Sequence, residues 1–158
     1  MNSGAPDSLP LDGTGRRFGV VASRFHAGVV DRLVTGALAA LRAHGVADAA
    51  IELVRVPGAW EIPVALDALA RRGGFAALIA LGALVRGESS HYEIIADQCS
   101  RGIAEVALRR ELPVAFGVLT CETMEQALAR AGGADGNKGE EAALAALEMA
   151  EVVARLRA

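Results

Sequence analysis

Aromatic side chains are scarce in this chain of 158 residues, making up 4% of it, with Trp60 the only tryptophan and Tyr92 the only tyrosine. The core must therefore be packed mainly from Ala, Val, Leu and Ile, and a surface on which single-stranded nucleic acid could stack its bases is disfavoured. Basic charge is not in excess either: 16 Lys plus Arg stand against 19 Asp plus Glu, a net charge of −3. The chain thus lacks the electrostatic footprint of a nucleic-acid binder. Long apolar runs are missing as well. The longest goes from Phe75 to Leu81 and, across Gly82, on to Val85, well short of the roughly 20 residues that cross a bilayer. No membrane span is expected. Cysteine is limited to Cys99 and Cys121, both in apolar stretches, which reads as a pair of reduced, buried thiols.

Cofactor and metal signatures are also absent. The turn Ser23-Arg24-Phe25-His26-Ala27-Gly28 is not the glycine-rich fingerprint of a dinucleotide site, and no phosphate-binding P-loop occurs. His26, His44 and His91 lie far apart and the cysteines share no C-x-x-C, so no metal site is expected. The first residues, Met1 to Gly15, are rich in Gly, Pro, Ser and Asp without a basic or apolar segment. They read as a mobile arm on a cytoplasmic protein and not as a secretory signal.

What is present is 53% apolar residues in an alternating pattern. Strand-length apolar runs at Arg17–Ala22, Ile51–Val56, Ala77–Leu81 and Pro113–Leu119 are separated by helical spacing over Ala27–His44, Ile62–Arg72 and His91–Glu111. A short helix at Thr123–Ala131, a glycine-rich turn (GGADGNKG) and a long Ala-rich helix from about Asn137 to Leu156 complete the chain. Strands apolar throughout and alternating with helices predict a four-stranded parallel sheet covered on both faces, a three-layer α/β/α sandwich. With no linker after Gly15, residues 16–158 read as one domain. Ligands of such folds bind beyond the carboxyl ends of the strands, which directs attention to the turns after Ala22, Val56, Leu81 and Leu119.

The turn after the third strand reads GALVRGESSHYE, Gly82 to Glu93. Ser90 and Glu93 have the spacing of a capping box opening a helix, and free N–H groups at such a start, with the Ser89 and Ser90 hydroxyls, suit a phosphate. His91 then stands in the first helical turn beside that anion site, as an imidazole for proton transfer or as an ordinary surface or packed histidine. After the second strand, Trp60 stands next to Glu61, either as core and helix-start residues or as ligand contacts. Phe25, in the first turn, is packing or a stacking surface. Lys138 opens the last helix, where a cation opposes the helix dipole unless an anion is near. Arg130, at the end of the short helix, complements its dipole and could also join Lys138 and the Ser89 turn on a phosphate.

The motifs VPGAWEIP, LGALVRGESSHYE, PVAFGVLT and RAGGADGNKG, in this order and spacing, resemble the lumazine synthase family over about Arg17 to Leu156. The resemblance implies a flavodoxin-like fold and a step of riboflavin biosynthesis without cofactor or metal. In that step 5-amino-6-(D-ribitylamino)uracil condenses with 3,4-dihydroxy-2-butanone 4-phosphate to give 6,7-dimethyl-8-ribityllumazine, phosphate and water. It further implies that Phe25 stacks on the pyrimidine, that the Ala83-Leu84-Val85 backbone meets the uracil edge, and that Ala59, Trp60 and Glu61 hold the ribityl chain. Glu88 and Ser89 would bind the phosphate with Arg130, supported by Lys138, and His91 would donate and accept protons. Phe116 would lie against the substrate held by an adjacent subunit, in a pentamer. The short turn between Arg130 and Asn137 resembles members that close a 60-subunit shell, which can enclose riboflavin synthase. Trp60 replaces the usual Phe and Ser89 the usual Thr, changes that bear on pocket size and affinity. Two other readings are a non-catalytic flavin- or lumazine-binding protein on the same scaffold and a structural shell around a partner.

Overall fold

The computed structural model describes residues 9–158. Its strands are β1 (Phe18–Ser23), β2 (Ile51–Val56), β3 (Ala77–Val85) and β4 (Val114–Cys121), and its main helices are α1 (Ala27–Ala43), α2 (Ile62–Arg72) and α3 (His91–Arg110). The chain closes with α4 (Met124–Ala129), the short strands β5 (Ala131–Gly133) and β6 (Gly136–Asn137), and α5 (Lys138–Arg157). The main strands form one parallel sheet in the order β2-β1-β3-β4. This is the expected three-layer α/β/α sandwich, with the flavodoxin-like order whose switch point lies between β1 and β3.

Strand alternation assigns the two faces. Phe18, Val20, Ala22, Ile79 and Leu81 point into a core shared with Val30, Leu33 and Ala37 of α1 and Ala143, Ala146 and Leu147 of α5. Val21, Leu78 and Ala80 point the other way, against Ile62, Leu66 and Leu69 of α2 and Cys99, Ile103 and Val106 of α3. Because both faces of β1 and β3 are covered, these strands carry no polar alternation. Small residues let the layers approach closely. Gly139, in the first turn of α5, lies so near α1 that a Cβ there would stand 2.0 Å from the Leu33 carbonyl oxygen. Across the other face, Arg110 of α3 donates two hydrogen bonds to the Asp67 carboxylate of α2, at 2.8 and 3.1 Å.

Four details depart from the sequence expectation. β3 runs on through Gly82 to Val85, because β4 is long enough to pair with it as far as Cys121. The glycine-rich turn is a small antiparallel hairpin, β5 with β6, in which Gly132 and Gly136 take positive φ. The Ser90–Glu93 capping box does not form. Ser90 makes no side-chain cap bond, and Glu93 instead turns to pair with Arg86, a cation outcompeting a neutral backbone donor for the carboxylate. Finally, of the segment read as an arm, residues 1–8 lie outside the described residues, and the part up to Gly15 is seated on the body. There Leu11 packs on the core and the Gly13 N–H donates to the His44 carbonyl at 2.7 Å. Among the described residues no helix is long and apolar enough to cross a membrane.

Candidate functional site

Beyond the carboxyl ends of β1, β2 and β3 lies a cleft of about 570 Å³ lined by Phe25, Ala59, Trp60, Glu61, Ala83, Leu84, Val85, Ser89 and His91, among others. Phe25, Ala59 to Glu61, Ser89 and His91 come from the turns that the strand pattern singled out, and Ala83 to Val85 from the last residues of β3. The first two turns are bonded to each other: the N–H of Arg24 donates to the Val56 carbonyl at 2.8 Å and that of Phe25 to the Pro57 carbonyl at 3.0 Å. Backbone bonds, and not burial, hold Phe25 in place, so its ring stays 66% exposed toward the cleft. Trp60, on a single 3-10 turn (Ala59–Glu61) before α2, is 56% exposed. It is not a core residue. An aromatic residue left open at a concave site is free to stack on a planar ligand.

Glu61 has a structural role here as well as a place in the cleft. Its Oε2 accepts the Gly58 N–H at 3.0 Å, which closes the turn, while the side chain still lines the cleft. His91 begins α3, exposed, and its backbone N–H donates to Ser89 Oγ at 3.3 Å. Ser89 and His91 are therefore coupled through one short loop. Beneath the cleft, the end of β1 buries the Ser23 hydroxyl without a protein hydrogen-bond partner.

Arg130 and Lys138 do not reach this cleft. They line a second one, of about 300 Å³, together with Phe116, Thr120 and Cys121 of β4 and Gln126 of α4. The hairpin unites them: the Lys138 N–H donates to the Arg130 carbonyl at 2.8 Å. Arg130 also bonds the Gln126 carbonyl at 3.0 Å and lies 3.6 Å from Asp135, so it does complement the end of α4. Lys138 finds its anion one turn along its own helix, in Glu141 at 3.1 Å, and Asn137 caps α5 by accepting from Gly139 and Glu140. Within one chain the expected phosphate set is thus divided, Ser89 in one cleft and Arg130 with Lys138 in the other. Glu88 is exposed in the loop and lines neither cleft. Phe116, 43% exposed, belongs to the second.

The cleft includes residues that spacing did not single out: His26, Pro57, Gly58, Gly87, Tyr92 and Ile95. Ile95 was accessible to helical periodicity, since it lies one turn beyond His91 on the same face; Tyr92, the next residue along, was not. His26 had no sequence signal. It holds the left-handed conformation at φ 59° and ψ 48°, caps nothing with its side chain, and packs its ring against Phe25 at 4.6 Å. Such a backbone conformation costs about 1 kcal/mol or more for a residue other than glycine, and burial holds the imidazole below its ordinary pKa. The thiols are ordinary by comparison. Both are buried and free, and burial pushes Cys99 up to about 11, which leaves it inert as a nucleophile. Among the described residues no group of three or more His, Cys, Asp or Glu is placed to hold a metal ion.

Comparison with known proteins agrees with the motifs. A family model described as 6,7-dimethyl-8-ribityllumazine synthase matches residues 15–154. The chain is 51% identical over 147 residues to the 6,7-dimethyl-8-ribityllumazine synthase of Aquifex aeolicus (strain VF5), covering 93% of this chain and 96% of that one. It is also 51% identical over 140 residues to the enzyme of the same name from Xanthomonas campestris pv. campestris (strain B100), covering 89% and 91%.

Proposed function

The chain belongs to the 6,7-dimethyl-8-ribityllumazine synthase family, and on that premise we propose that the cleft at the ends of β1, β2 and β3 is where it carries out the reaction. The enzyme acts in riboflavin biosynthesis, condensing 5-amino-6-(D-ribitylamino)uracil with 3,4-dihydroxy-2-butanone 4-phosphate and releasing phosphate and water. The observation that carries the assignment is the convergence of the turns bearing Phe25, Ala59 to Glu61 and Ala83 to His91 on one cleft. Phe25 provides a face for the pyrimidine, the β3 backbone at Ala83 to Val85 meets its polar edge, and Glu61 accepts from ribityl hydroxyls beside Ala59 and Trp60.

The chemistry asks for proton movement at a few points. Imine formation moves protons onto the departing carbonyl oxygen, elimination takes one from carbon as phosphate leaves, the resulting enol takes a proton on carbon to become a second carbonyl, and ring closure expels that oxygen as water. One imidazole, His91, serves all of these from the cleft wall. Much of the acceleration comes from holding the reactants side by side, since effective molarities of oriented reactants reach about 10⁵ M or more.

The division of the phosphate set supports a site shared between copies. A pentamer in which the second cleft of one subunit faces the first cleft of the next would bring Phe116, Arg130 and Lys138 to Glu88, Ser89 and His91. The short connection from Arg130 to Asn137 resembles that of family members that close pentamers into a 60-subunit shell, which is the assembly proposed for this chain, in the cytoplasm and with riboflavin synthase as cargo.

The experiment is a direct assay with both substrates, following lumazine absorbance above the spontaneous rate, with sedimentation of the same sample. Saturable turnover is expected, falling roughly 10- to 10³-fold in His91→Ala. A His91→Ala protein as active as the wild type would remove the histidine's role, and an active monomer would remove the shared site.

A further inference from the structure

The loop that carries Ser89 and His91 has little holding it from within. Gly87 to Ser90 contains no regular structure, and Ser90 makes no side-chain cap bond. Its own side-chain bond is the long one from the His91 N–H to Ser89 Oγ, at 3.3 Å. Yet the loop bears the residues on which proton transfer and phosphate recognition depend, and a displacement of about 1 Å in such a group can cost about 10²-fold in rate.

Arg86 supplies what the loop lacks. Its backbone N–H extends the β3–β4 ladder by donating to the Cys121 carbonyl at 2.9 Å. Its guanidinium then reaches in several directions: Nε donates to Glu122 Oε2 at 2.7 Å, Nη1 to the Glu93 carboxylate, and the plane lies 4.6 Å from the centre of the Tyr92 ring. Glu122 belongs to the β4–α4 connection, Glu93 and Tyr92 to the first turn of α3. One side chain therefore ties the sheet to the helix on either side of Gly87 to Ser90, and Tyr92, the ring it grips, lines the cleft. A planar, five-donor guanidinium does this in full; a lysine ammonium offers three donors from one point and no planar face for the ring.

We propose that Arg86 is a positioning residue for the reaction, fixing the loop that presents Ser89 and His91 and the Tyr92 wall of the cleft. This rests on the functional reading above. Both carboxylates are at least half exposed, Glu93 at 52% and Glu122 at 59%, so the cluster adds little to global stability. Its value is local order. The charges favour the ionised forms of one another: Arg86 is raised above its ordinary value by its bonds to Glu93 and Glu122, and Glu93 is lowered by Arg86.

The test compares wild type, Arg86→Gln and Arg86→Lys in the assembled protein. Readouts are kcat, KM for the phosphate-bearing substrate, melting temperature, and affinity for 5-amino-6-(D-ribitylamino)uracil from Trp60 fluorescence. Arg86→Gln is expected to lower kcat roughly 10- to 10²-fold and to raise KM for the phosphate substrate. Uracil affinity should stay within about twofold and melting within about 3 °C, as for the loss of an exposed ion pair. Arg86→Lys should recover part of kcat. Turnover of Arg86→Gln within twofold of wild type would overturn the proposal, as would a parallel fall of uracil affinity, melting temperature and kcat. A wild type that binds both substrates without making product would instead overturn the functional reading on which the proposal rests.

Discussion

Replacing Glu61 by glutamine keeps the shape of the side chain and removes its charge, which separates the two tasks that the carboxylate performs. One oxygen, Oε2, accepts the Gly58 N–H at 3.0 Å and closes the turn between β2 and α2. The amide oxygen of glutamine can take over that bond, exchanging a charge-assisted hydrogen bond for a neutral one at a cost of about 1 kcal/mol or less. For a domain of this size the melting temperature should fall by no more than about 4 °C. The other side of the carboxylate faces the cleft, where the proposed partners are ribityl hydroxyls. A hydroxyl bonded to a charged acceptor is worth about 1.5–3 kcal/mol; in Glu61→Gln the amide NH2 left facing the cleft can only donate to such a hydroxyl, a neutral bond worth about 0.5–1.5. The difference of about 1–1.5 kcal/mol is a loss of roughly five- to tenfold in affinity. Trp60 makes the assay simple: it is the only tryptophan, adjacent in sequence and 56% exposed in the same cleft, so its fluorescence should report binding of the ribitylaminouracil. Glu61→Ala, which also deletes the cap, should lose about 0.5–2 kcal/mol of stability in addition to affinity. Unchanged affinity in Glu61→Gln, with Glu61→Ala affecting stability alone, would refute the reasoning and leave Glu61 a turn-closing residue.

Gly139→Ala should destabilise by about 1–3 kcal/mol, because the Leu33 backbone cannot yield as a flexible side chain would; calorimetry would detect a fall of about 3–10 °C, and an unchanged melting temperature would show that α5 slides freely on α1. Ser23→Ala should be neutral or stabilising by up to about 1 kcal/mol, since the buried hydroxyl has no protein partner to lose. A clear loss in denaturant unfolding would mean that the hydroxyl is satisfied by ordered water or ligand. Arg110 holds the Asp67 carboxyl below its ordinary value, so their interaction contributes fully above the ordinary carboxylate range. It is lost as pH falls through the lowered folded pKa, below about pH 4. Asp67→Asn should flatten that part of the acid-unfolding curve, and an acid limb identical to wild type would count against the link between α2 and α3.

The local signals in this chain were strong where chemistry and periodicity agreed. Strand runs buried on both faces and helices spaced at 3.6 residues set the β–α alternation, and Pro57-Gly58 and Gly73 marked element ends as seen. The turns beyond the strands were identifiable as a class, and with them Phe25, Trp60, Glu61, Ser89 and His91, because in a parallel sheet those ends share one side. Motifs in register then pointed to the family, which the comparisons show, whereas the single residues left ligand contact and packing both open. Tertiary structure decided what depends on distance. Glu93 had the spacing of a cap, but Arg86 stands close enough to take its charge, and the competition is visible only in three dimensions. β3 continues past Gly82 because β4 offers unpaired backbone alongside. His26 enters the cleft through a left-handed backbone, uncommon for any residue but glycine, that no pattern in the sequence marks. Arg130 and Lys138, adjacent across a hairpin, lie in a different cleft from Ser89, since β4 is the sheet edge and its outer side turns away from the crevice at β1 and β3. Periodicity records which face of an element is buried; only the order of strands in the sheet determines which loops meet.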